Sequence, residues 1–392
     1  TWLWCWCCWC GRPGCCGRSG ERAVVTVAPP RAPAVRRPAA WLVAAAVVLA
    51  APAVLPPFYV YLGALVLVMG LLAASLNLVL GYGGLYQFHH GVFYGVGAYA
   101  LALTITRLGW PAWVGILLGP LAAAAAGWAI GVFCVRLTRL YFGMLQISLG
   151  SLLWAVALRW YPVTGGDNGI HGIPLPAPLQ TLSGAYVFIA VTAGLAFGAL
   201  WCIVRSPFGA TLQAIRDNPQ RCQVVGIDVR AHQLLAIVLA AGFAGLAGVL
   251  YVVLERSVFP TMLFWVLSLE IFVMCLLGGW FTFSGPLVGA ALIVVLRAFA
   301  GRHTEYWTLI LGTILILLIF FMPEGVMGFV GERLRAHGRD TLGRSAAGPD
   351  AGRGTPAAVV AEGDGAADPG AGREAATPPA ADDAGGTEVA RG

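Results

Sequence analysis

A group of charged side chains lies in residues 205–232, a polar segment between two long apolar stretches. Residues 211–215 predict a short helix, the Asn218-Pro219 pair breaks it, and Gly226 punctuates a second short helix. Guanidinium and carboxylate groups form charge-assisted hydrogen bonds, so this segment could hold a partner protein. The docking candidates are Arg205, Gly209, Arg216, Asp217, Arg221 and Gly226. The alternative is a solvated connector, kept on the cytoplasmic side by its arginines.

A second candidate region is Ser75–Ala100, where glycines interrupt the apolar pattern at the junction of two predicted spans. Interrupted membrane helices are tolerated where they line a cavity or are buried in protein. Four polar residues here could line a path: Asn77, Gln87, His89 and His90. A tight cytoplasmic turn followed by a packing face of small residues is the other interpretation. The two histidines are adjacent and lack the i, i+4 spacing of a helical metal site, so no metal is predicted.

A glycine-rich loop, Tyr161–Pro174, carries Asp167, Asn168 and His171 on the predicted outer face. It lacks the lysine of a phosphate-binding P-loop. It is either a folded loop that receives a partner or a plain loop with turn chemistry.

Glu270 lies within an apolar run. A carboxylate inside a membrane is costly and is a functional candidate by default. Because it falls in the outer half of its span, water or Arg256 could also reach it, which would make it structural.

These residues must be positioned by membrane helices, because 59% of the chain is hydrophobic and only 11% is charged. Soluble domains have about 25% charged residues. We therefore predict an all-α, polytopic membrane protein, and no basic patch with interleaved aromatics indicates nucleic acid. The predicted spans lie near 39–55, 58–80, 90–106, 111–135, 140–160, 186–204, 233–254, 263–279, 284–300 and 306–322.

The arginines are distributed unevenly between the connecting loops. With both termini in the cytoplasm, about ten spans place most of the arginines inside. Just after Gln233, Ala240, Ala244 and Gly248 follow at four-residue spacing, which suits close packing of helices in lipid.

The two ends of the chain differ in composition from the transmembrane domain, which we place at 39–332. Residues 1–38 form an N-terminal extension with six cysteines between Cys5 and Cys16, in a spacing that matches no zinc module. A metal site is one interpretation, but a start assigned too far upstream is favoured, with the true start at or after Val24. Residues 333–392 are too rich in Ala, Gly, Pro and acidic residues to build a core, and are expected to be disordered.

Several short stretches then form an ordered set over roughly Leu62–Val330. They are LNLVLGYGGL, GVFYGVGAYA, YFGMLQISLG, TGGDNGIHGIP, SPFGATLQAIRDNPQRCQVVGIDV, SLEIFVMCLLGG and FMPEGVMGFV. With this set the chain resembles LivM-type permeases, the transmembrane subunits of ATP-driven importers of branched-chain amino acids. The resemblance implies packed transmembrane helices, a second, LivH-like permease, cytoplasmic ATPase subunits and an extracytoplasmic solute-binding protein. It also implies that the loop 205–229 holds coupling helices that dock on the ATPase, and that the outer loop receives the binding protein.

The chain departs from the family pattern in two places. Gln87-Phe88-His89-His90 stands where the family usually has Ser-Leu-Gly-His or Ser-Leu-Gly-Gln, so only the final histidine matches. Gln223 and Gln233 stand where the family often has Glu and Lys, which shifts the expected ATPase contact towards Arg216, Asp217 and Arg221.

No Walker motif or catalytic constellation occurs in the sequence, so we predict that this chain is not an enzyme. It is expected to hold no cofactor, with ATP and Mg²⁺ bound by the partner ATPase. Within the family, a urea or short-chain amide permease is the nearest alternative. A self-sufficient secondary transporter or channel would need ion-coupling carboxylates near the midplane, and Glu270 is the only credible one.

Overall fold

The computed structural model describes residues 50–137 and 139–303, together with 309, 312–313 and 325–328. By contacts the chain divides into two units, Thr1–Gly338 and Arg339–Gly392, and every described residue lies in the first. The N-terminal extension 1–38 and the tail 333–392 lie outside the described residues. So do most of the first and last predicted spans, although residues 50–54 of the first are helical.

The described part of the chain is a succession of helices joined by short connections. In chain order they are α1 Pro57–Asn77, α2 His90–Thr106, α3 Ala112–Cys134, α4 Arg139–Arg159, α5 Tyr161–Thr164, α6 Ala177–Gln180, α7 Leu182–Arg205, α8 Pro207–Asp217, α9 Pro219–Val224, α10 Val229–Glu255, α11 Trp265–Gly278 and α12 Gly285–His303. A π-helix, Leu78–Tyr82, continues α1, and two 3₁₀ turns cover Gly166–Asn168 and Pro260–Leu263. Each of the eight spans predicted between residues 58 and 300 coincides with one of these described helices.

Five of the described helices are long and apolar enough to cross a membrane. They are Pro57–Tyr82, Ala112–Cys134, Tyr141–Arg159, Leu182–Arg205 and Val229–Glu255. Two shorter apolar helices, Trp265–Gly278 and Gly285–Phe299, accompany them. Crossing the hydrocarbon core takes about 20 residues, so this set confirms the prediction of a multi-pass, all-helical membrane protein.

The described residues also contain one small sheet, which the sequence did not predict. Strands β1, Ile170–His171, and β2, Ser257–Val258, pair antiparallel, with Ile170 opposite Val258 and His171 opposite Ser257. The sheet ties the glycine-rich loop after α5 to the end of α10. The loop is therefore folded onto the helices.

Close packing around α10 holds the helices together. Ala240 and Ala244 have no exposed surface, as their four-residue spacing predicts. A Cβ added to Gly245 would lie 2.3 Å from the Cβ of Ala123 in α3. A Cβ added to Gly97 in α2 would lie 2.4 Å from the carbonyl oxygen of Gly245. The three backbones approach so closely that only the smallest residues fit between them.

We therefore expect Gly97→Ala to destabilise the fold by about 1–3 kcal/mol, since the added methyl group meets a backbone that cannot move aside. Gly194→Ala in α7 is the matched control, because nothing lies within 4 Å of a Cβ there. The measurement is the thermal unfolding midpoint of each purified variant in detergent. Equal midpoints for the two variants would contradict the packing argument.

Candidate functional site

The polar segment after α7 folds into two short helices, as its sequence predicts. Helix α8 is amphipathic and buries Gly209, Leu212 and Ile215. Ile215 packs with Cys222 of α9 and Val229 of α10 in a small apolar core of its own. The segment from Arg205 to His232, which we call the coupling loop, therefore has a defined shape before any partner is present.

Side-chain caps and glycines determine where each short helix begins and ends. The side chain of Asn218 accepts a hydrogen bond from the backbone N–H of Arg221 at 3.0 Å, and Asp228 accepts from Ala231 at 3.1 Å. Both are N-cap residues, a position that favours short polar side chains. Gly226 has φ +92°, which L side chains rarely adopt.

A glycine is required at position 209 because the backbone there lies close to the end of the preceding helix, α7. A Cβ at Gly209 would lie 2.1 Å from the carbonyl oxygen of Val204 in α7. The start of α8 is thus held against the end of α7. This close-packed contact leaves no room for a larger side chain at position 209.

Two apolar residues of the coupling loop are strongly exposed. Val224 is 88% exposed and Val225 is 79% exposed at the end of α9, and Arg221 is exposed beside them. The sequence reading named the charged residues and missed these valines. Two adjacent valines in a polar segment are a weak signal, because the same pair could equally have been buried beneath the loop.

The charged candidates of the coupling loop have different surroundings. The guanidinium of Arg205 lies 3.8 Å from the centre of the Trp201 ring, a cation–π contact on α7. Asp217 is 69% exposed and its Oδ1 lies 3.1 Å from Arg216. Arg216 itself turns towards the membrane helices and donates from Nη1 to the carbonyl oxygen of Gly81 at 2.7 Å.

The glycine-rich interruption lies at the end of α1. The π-helix carries the chain to Tyr82, and Gly84 then adopts φ +67°, which turns the chain towards α2. The backbone N–H groups of Gly84 and Leu85 donate to the carbonyls of Leu80 and Val79, at 3.1 Å each. We call residues 77–90 the junction. The helix is interrupted here, as the glycine pattern indicates, and most of the junction is buried while Gly84 and Tyr86 are exposed.

The junction brings together two of the polar residues that the sequence named for a path, Gln87 and His90, with Ser75 of α1. The Nε2 of His90 lies 2.8 Å from the hydroxyl of Ser75, and its Nδ1 lies 3.3 Å from Oε1 of Gln87. Each of these side chains is fully buried. Asn77 belongs to the same stretch but bonds elsewhere, donating from Nδ2 to the carbonyl oxygen of Thr282 at 3.3 Å.

Two buried polar side chains near the junction, His89 and Gln146 of α4, interact with each other, and neither has another hydrogen-bond partner among the described residues. The ring of His89 packs edge-on against Phe93, with the ring centres 4.8 Å apart. Sequence reasoning missed Gln146, although a glutamine inside an apolar span is itself a signal. Buried polar groups are normally satisfied, so these two call for a functional explanation.

Glu270 is separate from this group. Its Oε1 lies 3.2 Å from Nη1 of Arg297 on α12. The sequence reading named Arg256 as the nearby cation, and the structure corrects this, because Arg256 instead donates to the carbonyl of Gln180. The partner of Glu270 is contributed by the following helix, which the spacing along α11 could not reveal.

The residues of the glycine-rich loop lie together on the surface. Asn168 donates from Nδ2 to the hydroxyl of Tyr161 at 3.1 Å, and Nε2 of His171 lies 2.7 Å from the carbonyl of Asn168. Asp167 is exposed between them. Two of the three candidates therefore stabilise the loop, and Asp167 is left facing solvent. Within the described part of the chain, no three His, Cys, Asp or Glu side chains gather as a metal site would require.

A comparison with protein families agrees with this architecture. The family described as "Branched-chain amino acid transport system / permease component" matches residues 58–319. The chain belongs to this family. The matched region contains the junction, the coupling loop and the outer loop, so it covers every candidate site.

Curated relatives give the same result. The chain is 27% identical to the high-affinity branched-chain amino acid transport system permease protein LivM of Escherichia coli K12, over 68% of this chain and 69% of that protein. It is 27% identical to permease protein BraD of Pseudomonas aeruginosa, over 70% of this chain and 98% of that protein. It is 24% identical to LivH of Escherichia coli K12, over 66% of this chain and 90% of that protein. No solved structure matches the chain.

The hydrogen bond between Ser75 and His90 gives a test of the junction. We expect Ser75→Ala to destabilise the permease by about 1–3 kcal/mol, because it leaves a buried imidazole nitrogen without its partner. Ser148→Ala is the control, since that hydroxyl bonds only to the carbonyl of Met144 in its own helix. Thermal unfolding in detergent measures both, and a Ser75→Ala variant as stable as Ser148→Ala would contradict the assignment.

Proposed function

We propose that the chain is one of two permease subunits of an ATP-driven importer of branched-chain amino acids. The family match over residues 58–319 is the observation that carries this proposal. LivM and LivH are both named as permeases of one such system, and both resemble this chain. A LivH-like second permease is accordingly the proposed partner in the membrane.

ATP hydrolysis is assigned to separate cytoplasmic subunits, which would also hold the ATP and Mg²⁺. The coupling loop is the proposed docking surface for them. Its exposed valines, Val224 and Val225, lie beside the exposed charges of Arg221 and Asp217. An apolar centre with a charged rim is the usual composition of an energetic contact between proteins. Both termini and this loop are assigned to the cytoplasmic side by the arginine distribution.

The substrate path is proposed to run past the junction. His89 and Gln146 interact with each other and with no other described polar group, and Asn77, Gln87 and His90 are buried in the same stretch of chain as His89. Polar groups at this depth are costly unless they serve a path or a network. Transport is then alternating access, in which substrate shifts the equilibrium by its different affinity for the two states.

An extracytoplasmic solute-binding protein is the proposed partner of the folded outer loop. Asn168 and His171 hold the loop in shape, and Asp167 presents a free carboxylate on it. A preorganised loop loses less conformational entropy on binding than a flexible one.

A self-sufficient secondary transporter is disfavoured by the surroundings of Glu270. That reading needs a carboxylate available to a coupling ion, and Glu270 is paired with Arg297. Energy therefore enters through another subunit in the proposed mechanism.

The proposal is tested by reconstitution in liposomes with candidate ATPase, second-permease and binding-protein subunits from the same organism. We expect uptake of leucine, isoleucine or valine that requires both ATP and the binding protein. ATP-dependent uptake of urea or short-chain amides alone would favour the alternative substrate class. Uptake by the isolated chain without ATP would overturn the proposal.

The docking surface is tested separately with Val224→Asp. An acidic group at the centre of an apolar contact removes a hot spot, so co-purification of the ATPase subunits should fall by about tenfold or more. The control is Leu108→Asp, the same kind of change at a residue that is 58% exposed after the far end of α2. We expect Leu108→Asp to retain the ATPase, and an equal retention by Val224→Asp would remove these valines from the docking surface.

A further inference from the structure

Arg216, on the last turn of α8, contacts both the coupling loop and the junction. We infer that Arg216 is a positioning residue, through which displacement of the coupling loop moves the end of α1 and so the substrate path. This inference rests on the proposed function, in which the loop carries the ATPase. It assigns Arg216 to transmission within the permease and leaves docking to the exposed residues of α9.

The guanidinium caps the broken end of α1. The last carbonyls of a helix lack partners within it, and a cation there interacts favourably with the helix dipole. At the junction the carbonyls of Val79 and Leu80 accept from Leu85 and Gly84. The carbonyl of Gly81 accepts from Nη1 of Arg216 at 2.7 Å, across 135 residues of sequence. A charge supplied by the coupling loop thus completes the end of a membrane helix.

The aliphatic part of the same side chain packs on the turn that follows. A Cβ added to Gly84 would lie 2.6 Å from Cγ of Arg216 and 3.4 Å from its Cα. The Cζ of Arg216 lies 5.3 Å from the centre of the Phe281 ring, in the turn between α11 and α12. Arg216 is thereby held from two sides, by packing as well as by its hydrogen bond.

The contact continues from Gly81 into neighbouring helices. A Cβ on Gly81 would lie 2.2 Å from the carbonyl oxygen of Trp280 and 2.3 Å from Oδ1 of Asn77. Asn77 in turn donates to the carbonyl of Thr282 at 3.3 Å. The end of α1, the turn between α11 and α12, and Arg216 therefore form one close-packed unit. Such a unit moves as a body, because packed interiors do not deform continuously.

The orientation of Arg216 distinguishes it from the residues proposed for docking. Its side chain is 28% exposed, whereas that of Asp217 is 69% exposed. Nε and Nη2 of Arg216 donate to Asp217 Oδ1 at 3.1 Å each, so the carboxylate fixes the guanidinium in its inward direction. The side chain of Arg221 is exposed and has no hydrogen-bond or ion-pair partner among the described residues.

The first experiment uses the complete transporter in liposomes with Arg216→Met. Methionine keeps an unbranched stem over Gly84 but removes the cap on Gly81. We expect the ATPase subunits to co-purify as in the wild type and to hydrolyse ATP, while uptake per ATP hydrolysed falls by about tenfold or more. Arg159→Met, at an exposed arginine at the end of α4 and outside the coupling loop, is the matched control for loss of charge and should keep the wild-type ratio.

The second experiment changes Gly84, the residue that packs against Arg216. Gly84→Ala should displace the aliphatic part of the Arg216 side chain and lower the uptake per ATP hydrolysed. Gly109→Ala is its control, because Gly109 also has a positive φ, +64°, but nothing lies within 4 Å of a Cβ there. Both alanines strain the backbone to a similar degree. A defect in Gly84→Ala that is absent from Gly109→Ala is therefore due to the contact with Arg216.

The possible outcomes separate this inference from the proposed function. A wild-type ratio of uptake to hydrolysis in Arg216→Met and in Gly84→Ala would overturn the inference. Loss of the ATPase from Arg216→Met would also overturn it, and would place Arg216 in the docking surface. Failure of the docking proposal appears elsewhere, as full ATPase retention by Val224→Asp. Restoration of most of the coupling by Arg216→Lys, which keeps one donor for Gly81, would support the cap itself.

Discussion

Backbone polar groups in an apolar environment must find partners, and this constraint governs the junction. A continuous helix satisfies them by itself, but α1 ends in a π-helix and a glycine turn inside the bundle. Its last carbonyls are satisfied by Gly84, by Leu85 and, at Gly81, by Arg216 from a segment far along the chain. The break is therefore stable only while the coupling loop stays in place. The interrupted helix and the attached coupling loop are linked by one requirement, which is that the backbone carbonyls at the end of α1 find hydrogen-bond partners.

Close packing makes the attachment of the coupling loop rigid. Glycines and alanines let α2, α3 and α10 approach until their backbones touch, and Gly209 does the same between α7 and α8. Lipid provides no hydrophobic driving force between helices, so this contact area is what holds them. The coupling loop is consequently joined to the bundle at two places. Backbone contacts at Gly209 hold it to α7, and Arg216 on α8 holds it to the end of α1. A partner that displaces the loop must displace helix ends with it.

Much of the fold follows from local properties of the sequence. Eight predicted spans coincide with described helices, because an apolar run of that length can satisfy its backbone only as a helix in lipid. The short helices of the coupling loop and their caps follow from Asn218, Pro219 and Asp228. The interruption at Gly81 and Gly84 is equally local, since glycine weakens a helix and permits a positive φ. The family resemblance rests on these same local patterns and was confirmed by comparison.

The choice of partner for each polar side chain was decided only by the tertiary structure. Hydropathy indicates that Glu270 is buried, but the packing of α12 against α11 brings Arg297 to it and leaves Arg256 at Gln180. Composition marks Arg216 as a surface charge, yet the folding of α8 onto the junction turns it inward. The same packing exposes Val224 and Val225 and buries Gln146 beside His89. Sequence periodicity determines which face of a helix is apolar, whereas the neighbour that meets a polar group depends on contacts between residues far apart in the chain.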